Sequence, residues 1–542
     1  MFSVPHELAN LFLIEEKMME IFRETSQSLK SSVLEEYIAQ SEPRFKELEV
    51  PDSTKSDHGN FEKVLEKLVG NPVHVYALVE RMVLLLPSIK KELNNQKIEK
   101  LVEDVELPED GDLEGVTQAI ARIQFAYQLD PVDMAYGRIR GVQTEARLSA
   151  RQMMNIAQRR ISGLHPMRPS VGKEYALAIE WAEGALNLMM QNENEKRLED
   201  RITRFLNKAR LDHNNNWNSP VGQRGNYPNE EFFVRRIESS PNITTGRELR
   251  FEEAEFLQRG STNGHLKQGF NIHDFYTLCR GEKVDYSSAP QNPMCWLTTK
   301  NNPYFILSPI KTEVISEKPL VHLYHDVLTD NEMKLMTSRI LNQMKAASVQ
   351  DTSVADGAGS KISNERTQSS GWIWDQEEQT LHKLSKRTGM VVQLETALPD
   401  EEMAPGMPWR FVQAEAWQMG LYGPGGHYLP HFDAFEPNLL PPDVWGTDKL
   451  WVGSRIATIM FYLSDLVGGS TAFPKMGVAA TPKKGSAVFW YNLHEDGTRD
   501  DLSLHGACPT ALGIKWVSNK WIREGAQLWK RPCSLQPTSQ FQ

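Results

Sequence analysis

Four cysteines in 542 residues are too few for a disulfide scaffold, and with no CxxC pair they match no common zinc spacing. Cys279 and Cys295 lie 16 positions apart, and Cys508 and Cys533 lie 25 apart. Count alone leaves two short-range disulfides and free buried thiols both open. Long apolar runs are missing too: "VYALVERMVLLLPSI" is broken by Glu80, Arg81 and Pro87 before it reaches the roughly 18 residues of a membrane span. Basic charge is in deficit, with 60 Lys and Arg against 71 Asp and Glu, a net charge of −11, so no basic face offers itself to nucleic acid. The opening "MFSVPHELANLFLI" lacks the basic start and small-residue cleavage site of a secretory signal. A soluble chain is expected, either cytosolic or already processed. The acceptor triplet "NIT" at Asn242 is a candidate glycosylation site and, with the cysteines, favours the secretory pathway.

What is present divides by texture. Residues 1–115 read as a helical, coiled-coil-like assembly domain, in which Leu11, Ile14, Met18 and Ile21 recur at three- and four-residue spacing. Residues 116–211 are also helical. "LSARQMMNIAQRRI" and "YALAIEWAEGALNLMM" resemble one helix pair of a tetratricopeptide repeat, although no 34-residue period follows. Residues 212–315 begin with the Asn-, Gly- and Pro-rich "DHNNNWNSPVGQRGNYPNEE" and read as a linker region holding the first cysteine pair. From 316 to 535 short β-branched and aromatic segments alternate with Gly and Pro turns. "RIATIMFYL", "SAVFWYNL" and "KWVSNKWI" are the clearest strands, and the pattern predicts a sandwich or jelly roll. The fold class is therefore multidomain α+β, helices first and a β-rich half after them.

The chemistry lies in that second half. In "HYLPHFDAF" His431 and Asp433 are two apart, so on a strand both side chains face the same way. One imidazole and one carboxylate, joined by a second histidine, make the facial triad of non-haem Fe(II) oxygenases, which leaves coordination positions open for a co-substrate and O2. Zinc hydrolases favour HExxH or thiolates, and neither occurs here. Two downstream histidines, His494 and His505, could complete the set. His494 opens a polar loop before "EDG", whereas His505 in "SLHGACP" leads towards a further strand, and we favour His505. Lys515 opens that strand among Trp516, Val517 and Trp521, poor company for a charge. A desolvated ammonium needs a carboxylate, and none is near in sequence, so a ligand carboxylate is an economical partner. The alternative is a packed stem with its head snorkelling to water.

Taken together, "YGPGGHYLPHFD", "GSRIATIMFYLSDLVGGSTAFP", "PKKGSAVFWYNL" and "HGACPTALGIKWVSNKWIRE" resemble the catalytic domain of the collagen prolyl 4-hydroxylase alpha-subunit family. The likeness covers roughly 320–535, with motifs in matching order, and extends more loosely to the helical half through "GNPVHVYALVERM" and "LCRGE". It implies a double-stranded β-helix, or jelly roll, in which His431, Asp433 and His505 bind Fe(II). Lys515, Tyr422 and Thr471 would hold the distal carboxylate of 2-oxoglutarate, and Tyr428, Arg455 and Trp521 would line the peptide site. It also implies two intrachain disulfides, Cys279–Cys295 and Cys508–Cys533. The reaction implied is hydroxylation of peptidyl proline at C4 in collagen-like, proline-rich polypeptides. It is coupled to decarboxylation of 2-oxoglutarate to succinate, consumes O2 and uses L-ascorbate to restore oxidised iron. The family works in the endoplasmic reticulum lumen, with alpha subunits self-associating and joined to protein disulfide isomerase as beta subunit.

The chain departs from that family twice. Leu504 stands where an arginine commonly precedes the distal histidine. Between Tyr136 and Tyr227 the only tyrosine is Tyr175, so the tyrosine-rich peptide groove is eroded, and "ENEKRLEDRITRFLNKARLDHNNN" is shorter and more charged than the helices it replaces. An oxygenase of another polypeptide, or a non-catalytic assembly subunit, are the competing readings.

Overall fold

The computed structural model describes residues 4–27, 29–47, 57–93, 96–162, 175–189, 196–218, 270, 272–290, 294–350, 360–362, 366–397, 413–435 and 453–534. Two compact units emerge, Met1–His273 and Asp274–Gln542. Asn242 and Tyr227 lie outside the described residues.

The first unit is helical. Its central helix, Pro72–Leu84, starts where Asn71 accepts a hydrogen bond from the Val73 amide at 3.0 Å and Pro72 supplies a φ already suited to a first turn. Every residue from Pro72 to Met82 is buried, Glu80 and Arg81 included. The charges are satisfied internally: Arg81 meets Glu15 at 3.1 Å, Tyr37 donates to Glu15 at 2.7 Å, and Gln152 and Asn155 each donate to Glu80 at 2.8 Å. This is how an interior helix carries charge. Among the described residues no single helix is long and apolar enough to cross a membrane; this helix and Leu86–Leu93 are bent by 43° relative to each other. Of the expected seam on Pro5–Ser26, Leu11 and Met18 are buried while Ile14 and Ile21 are half-buried; Leu8, Phe12, Met19 and Phe22 complete the buried face.

Three expected boundaries are corrected. The break at 115/116 falls inside one helix, Asp110–Tyr127, which has no proline to end it. The break at 211/212 falls inside Lys196–Asn218, which buries Ile202, Leu206 and Ala209 on one face and runs to just short of Pro220. The supposed linker 212–315 also holds helix Ile272–Arg280 and a first sheet strand, Cys295–Thr298. Polar asparagines read as a linker, but the helix can continue until a true breaker arrives.

The second unit is built of antiparallel strands: β1 Cys295–Thr298, β2 Ile310–Glu317, β3 Leu320–His325, β4 Lys345–Ala346, β5 Ser369–Ile373, β6 Trp417–Tyr422, β7 Tyr428–His431, β8 Arg455–Tyr462, β9 Val467–Gly468, β10 Thr471–Phe473, β11 Val478–Ala480, β12 Ala487–Tyr491, β13 His505–Ala507, β14 Thr510–Leu512 and β15 Lys515–Arg523. A nine-stranded sheet runs β1-β2-β3-β12-β8-β15-β6-β5-β4, and a smaller one runs β7-β13-β10-β11. Tyr422, Met460, Tyr462, Val488, Trp490 and Val517 of the large sheet pack with Phe473, Val478 and Ala480 of the small one, so the core lies between two sheets. This is consistent with a jelly roll. The three strands read most clearly from sequence are β8, β12 and β15.

The disulfide pairing is corrected as well. Cys279 bonds Cys508 across 229 residues, while Cys295 and Cys533 are free and exposed. Helix Ile272–Arg280 lies against the start of β13, where a Cβ added to Gly506 would come within 2.8 Å of the Phe275 ring; that close approach delivers Cys279 to Cys508. Cys295 instead sits on edge strand β1 with its side chain turned to solvent. Closing so long a loop stabilises the fold by about 5 kcal/mol on the loop-entropy relation. Peptide mapping of unreduced protein should therefore recover a Cys279–Cys508 cross-link, with Cys295 and Cys533 open to alkylation. A Cys279–Cys295 peptide would overturn this pairing.

Candidate active site

Strands β7 and β13 pair with His431 directly opposite His505, their rings 4.6 Å apart. Asp433 reaches the same centre from a bend two residues beyond β7, so the expectation of both residues on one strand is corrected. β13 begins at His505, and the residues before it form a 3-10 turn, Asp501–Ser503, so residues 432 and 433 have no ladder partner to continue the strand. The two-residue spacing still places Asp433 on the histidine side. One ligand atom each from His431, Asp433 and His505 lies within 4.8 Å of the others. His494 stands apart, in a turn with its Nδ1 3.9 Å from Asp500.

Both imidazoles are oriented by backbone carbonyls. His431 Nδ1 meets the Leu429 oxygen at 2.9 Å and His505 Nδ1 meets the Ser503 oxygen at 2.9 Å. A carbonyl can only accept, so Nδ1 carries a proton in each ring, and in a neutral ring the lone pair is then on Nε2. Each Nε2 faces the carboxylate, at 3.8 Å from Asp433 for His431 and 3.6 Å for His505. Burial, then the neighbouring His505, drives the His431 pKa down to about 3 and keeps the ring neutral. For Asp433, burial pushes the carboxyl up, but His505, His431, Arg455 and the Thr458 hydroxyl outweigh it and hold the group at about 2. Two imidazoles with their Nδ1 atoms held by carbonyls and one anion are the donor set suited to a divalent iron with open positions.

Lys515 is wholly buried at the start of β15, opposite Tyr422 in the ladder with β6. Its Nζ has no hydrogen-bond partner among the described residues; it lies 5.2 Å from the Tyr422 ring and 5.9 Å from that of Tyr462. Burial pulls its pKa down to about 7. The snorkelling alternative is thereby removed. Gly469, at φ +67°, closes over the lysine stem: a Cβ there would lie 3.2 Å from Lys515 Cδ. Thr471 meets the Tyr462 hydroxyl at 2.7 Å, so Tyr462 joins Thr471 to the wall beside the lysine. An orphaned buried ammonium walled by Tyr422, Tyr462 and Gly469 fits a ligand carboxylate.

Tyr428 stacks on His431 at 3.6 Å and lies beneath the Arg366 guanidinium at 4.8 Å. Arg455 lies 3.7 Å over the Trp521 ring and grips Glu415 with two hydrogen bonds, at 2.7 and 2.8 Å. Trp521 is buried, and its indole N–H has no hydrogen-bond partner among the described residues. Leu504 is fully buried. Arg366 over Tyr428, Glu415 on Arg455, and Thr458 and Asn492 leading to Asp433 surround the predicted residues and escaped sequence reasoning. Only Thr458 carried a signal: within β8 it alternates with apolar neighbours, a hydroxyl where a core residue was due.

Comparison with known proteins is consistent along the chain. Residues 6–141 match the prolyl 4-hydroxylase alpha-subunit N-terminal region, and residues 417–523 match the 2OG-Fe(II) oxygenase superfamily, a span that holds every predicted ligand. The prolyl 4-hydroxylase subunit alpha-3 of Rattus norvegicus is 30% identical over 504 residues, covering 86% of this chain and 85% of that protein. The prolyl 4-hydroxylase subunit alpha-2 of Caenorhabditis elegans is 28% identical over 498 residues, covering 88% and 84%. Among solved structures, the viral collagen prolyl hydroxylase of Paramecium Bursaria Chlorella virus-1, in its 2OG complex, is 22% identical. It covers 38% of this chain and 95% of that one, at a TM-score of 0.28.

Proposed function

The chain belongs to the prolyl 4-hydroxylase alpha-subunit family, and we propose that it hydroxylates peptidyl proline at C4 while converting 2-oxoglutarate to succinate. The observation that carries this reading is the buried Lys515 ammonium, which has no partner among the described residues, in the same domain as the His431, Asp433 and His505 cluster. A structural lysine would have been given an acid, as Lys520 is by Asp375 at 2.8 Å.

His431, Asp433 and His505 would hold Fe(II), which when bound supplies the redox chemistry joining O2 and 2-oxoglutarate to C–H oxidation. The chain's own contribution is positional. Nδ1–carbonyl bonds keep both Nε2 lone pairs aimed at the centre. Lys515, with Tyr422 and Thr471 beside it, anchors the distal carboxylate of the co-substrate. Phe473, Tyr462 and Trp490 form an apolar wall that excludes water. Tyr428, Arg455 and Trp521 present the peptide, with Arg455 held over the Trp521 ring at 3.7 Å. Ascorbate as reductant, lumenal location, self-association and a disulfide isomerase partner follow from family membership as part of the proposal. Assembly is assigned to the N-terminal helices, and the tetratricopeptide-like helices between Ala150 and Asn218 are read as a degenerate peptide-binding domain that grips long proline-rich chains poorly.

Succinate release measured with and without a (Pro-Pro-Gly)-type peptide tests the reading. Peptide-stimulated release with 4-hydroxyproline in the product is expected. Release that a proline-rich peptide leaves unchanged would point to another polypeptide substrate, and none at all to an assembly subunit.

One observation bears on substrate length. Grooves for polyproline II chains grip with exposed aromatic faces. Here Tyr175 is 5% exposed and Trp181 is 0% exposed, its indole donating to Gln124 at 2.7 Å, so both rings serve the helical core. The side chain of Trp217 lies outside the described residues. Peptide KM should then change little with chain length, because neither Tyr175 nor Trp181 offers a face for a second site that would add effective concentration. A steep fall of KM with length would show a working groove.

A further inference from the structure

A single file of hydrogen bonds reaches Asp433 from the interior of the large sheet. Trp490 Nε1 donates to Asn492 Oδ1 at 2.8 Å, Asn492 Nδ2 donates to Thr458 Oγ1 at 2.9 Å, and Thr458 Oγ1 donates to Asp433 Oδ2 at 2.7 Å. Thr458 and Trp490 are register partners on β8 and β12, and the Asn492 amide donates to the Ile456 carbonyl at 2.8 Å, so two adjacent strands fix the array. Trp490, Asn492 and Thr458 are each at most 1% exposed and Asp433 is 6% exposed, which leaves little water to compete.

The direction of the file is determined by its first member. An indole N–H can only donate, so the Asn492 amide must present oxygen to Trp490 and its NH2 to Thr458. Thr458 has one hydroxyl hydrogen. With the amide hydrogen already occupying a lone pair, that hydrogen is directed at the carboxylate, which as an anion can only accept. The Trp490 ring also lies 4.6 Å from the His505 ring, so one residue both starts the file and walls the metal-facing histidine.

Building on the reading of His431, Asp433 and His505 as metal ligands, we propose that Thr458 and Asn492 are positioning residues. They hold one carboxylate oxygen of Asp433 through a one-way hydrogen-bond chain and thereby present a preset anionic ligand. Partners that orient a ligating carboxylate in this way typically carry about 10- to 100-fold in metal affinity. A threonine serving only strand packing would carry none.

The test is Co(II) affinity of the metal-free full-length protein, read by visible absorption without 2-oxoglutarate. Asp433→Ala serves as the control for the ligand reading. Thr458→Val should weaken Co(II) binding by about 10- to 100-fold, Asn492→Leu should move it in the same direction, and Thr458→Ser should restore it to within about threefold. Thermal unfolding of the metal-free variants reports folding separately. If the valine variant does not fold, Thr458→Ala against Thr458→Ser makes the same comparison, since they differ only in the hydroxyl. Wild-type Co(II) affinity in a folded variant lacking that hydroxyl overturns the inference, as does a serine variant as weak as the alanine one. Unchanged affinity in Asp433→Ala would instead defeat the ligand reading itself.

Discussion

Asp433→Ala and His505→Ala should each abolish peptide-stimulated succinate release and bound iron, whereas His494→Ala should retain both. Asp433 is the only anion among the three grouped candidate ligands, so its loss would remove the charge that balances a divalent ion. His505 contributes an Nε2 whose direction is set by the Ser503 carbonyl, and alanine offers no donor at that point. Neither change should unfold the domain. Asp433 sits in a bend outside the ladder, and His505 packs at ring distances of 4.6 and 5.8 Å from Trp490 and Phe473, so alanine leaves a local cavity costing about 1–3 kcal/mol. Metal analysis alongside turnover decides the matter. Iron retained in His505→Ala and lost in His494→Ala would reassign the second histidine.

Lys515→Met should raise the 2-oxoglutarate requirement by about 30-fold or more, with iron content little changed. Removing one side of a buried, charge-assisted pair costs about 2–5 kcal/mol, and each 1.4 kcal/mol is about tenfold in affinity. The same lysine predicts a pH dependence. Without co-substrate, burial holds its pKa near 7, so above that pH a growing fraction is neutral. A carboxylate prefers the ammonium, so binding must then take up a proton. Affinity accordingly falls as pH rises above about 7, by up to about tenfold per unit, and is insensitive to this group below it. Calorimetric titration in buffers of different ionisation enthalpy reads the proton uptake directly. Lys515→Met should lose both the tight binding and this dependence. A KM unchanged in the variant would mean that the co-substrate is anchored elsewhere.

The legible parts of this protein are those carried by neighbours in sequence. The spacing of His431 and Asp433 survives the end of β7, because two residues bring a side chain back to the same face whether or not the ladder continues. Lys515 was conspicuous because an ammonium among tryptophans is anomalous in any fold. β8, β12 and β15 were readable from β-branched and aromatic runs that suit a sheet buried between layers. The helix Lys196–Asn218 was misjudged at its end because asparagine lowers helix propensity by only a few tenths of a kcal/mol, while burial of Ile202, Leu206 and Ala209 carries the helix onward.

What sequence by itself determined was the inventory: two imidazoles, a carboxylate and a lysine, with strands under His431 and Lys515. Tertiary structure decided who meets whom. Local pairing of the cysteines, implied by family likeness, gave way to Cys279–Cys508 because Phe275 packs against Gly506 and carries the helix to that strand. Glu415 reaches Arg455 from 40 positions away, and Asn492 reaches Thr458 from 34 positions away. Such contacts depend on strand order and register, set by burial summed over two whole sheets. The hydrogen-bond capacity of a single residue states what it can accept or donate, and only the fold supplies the partner.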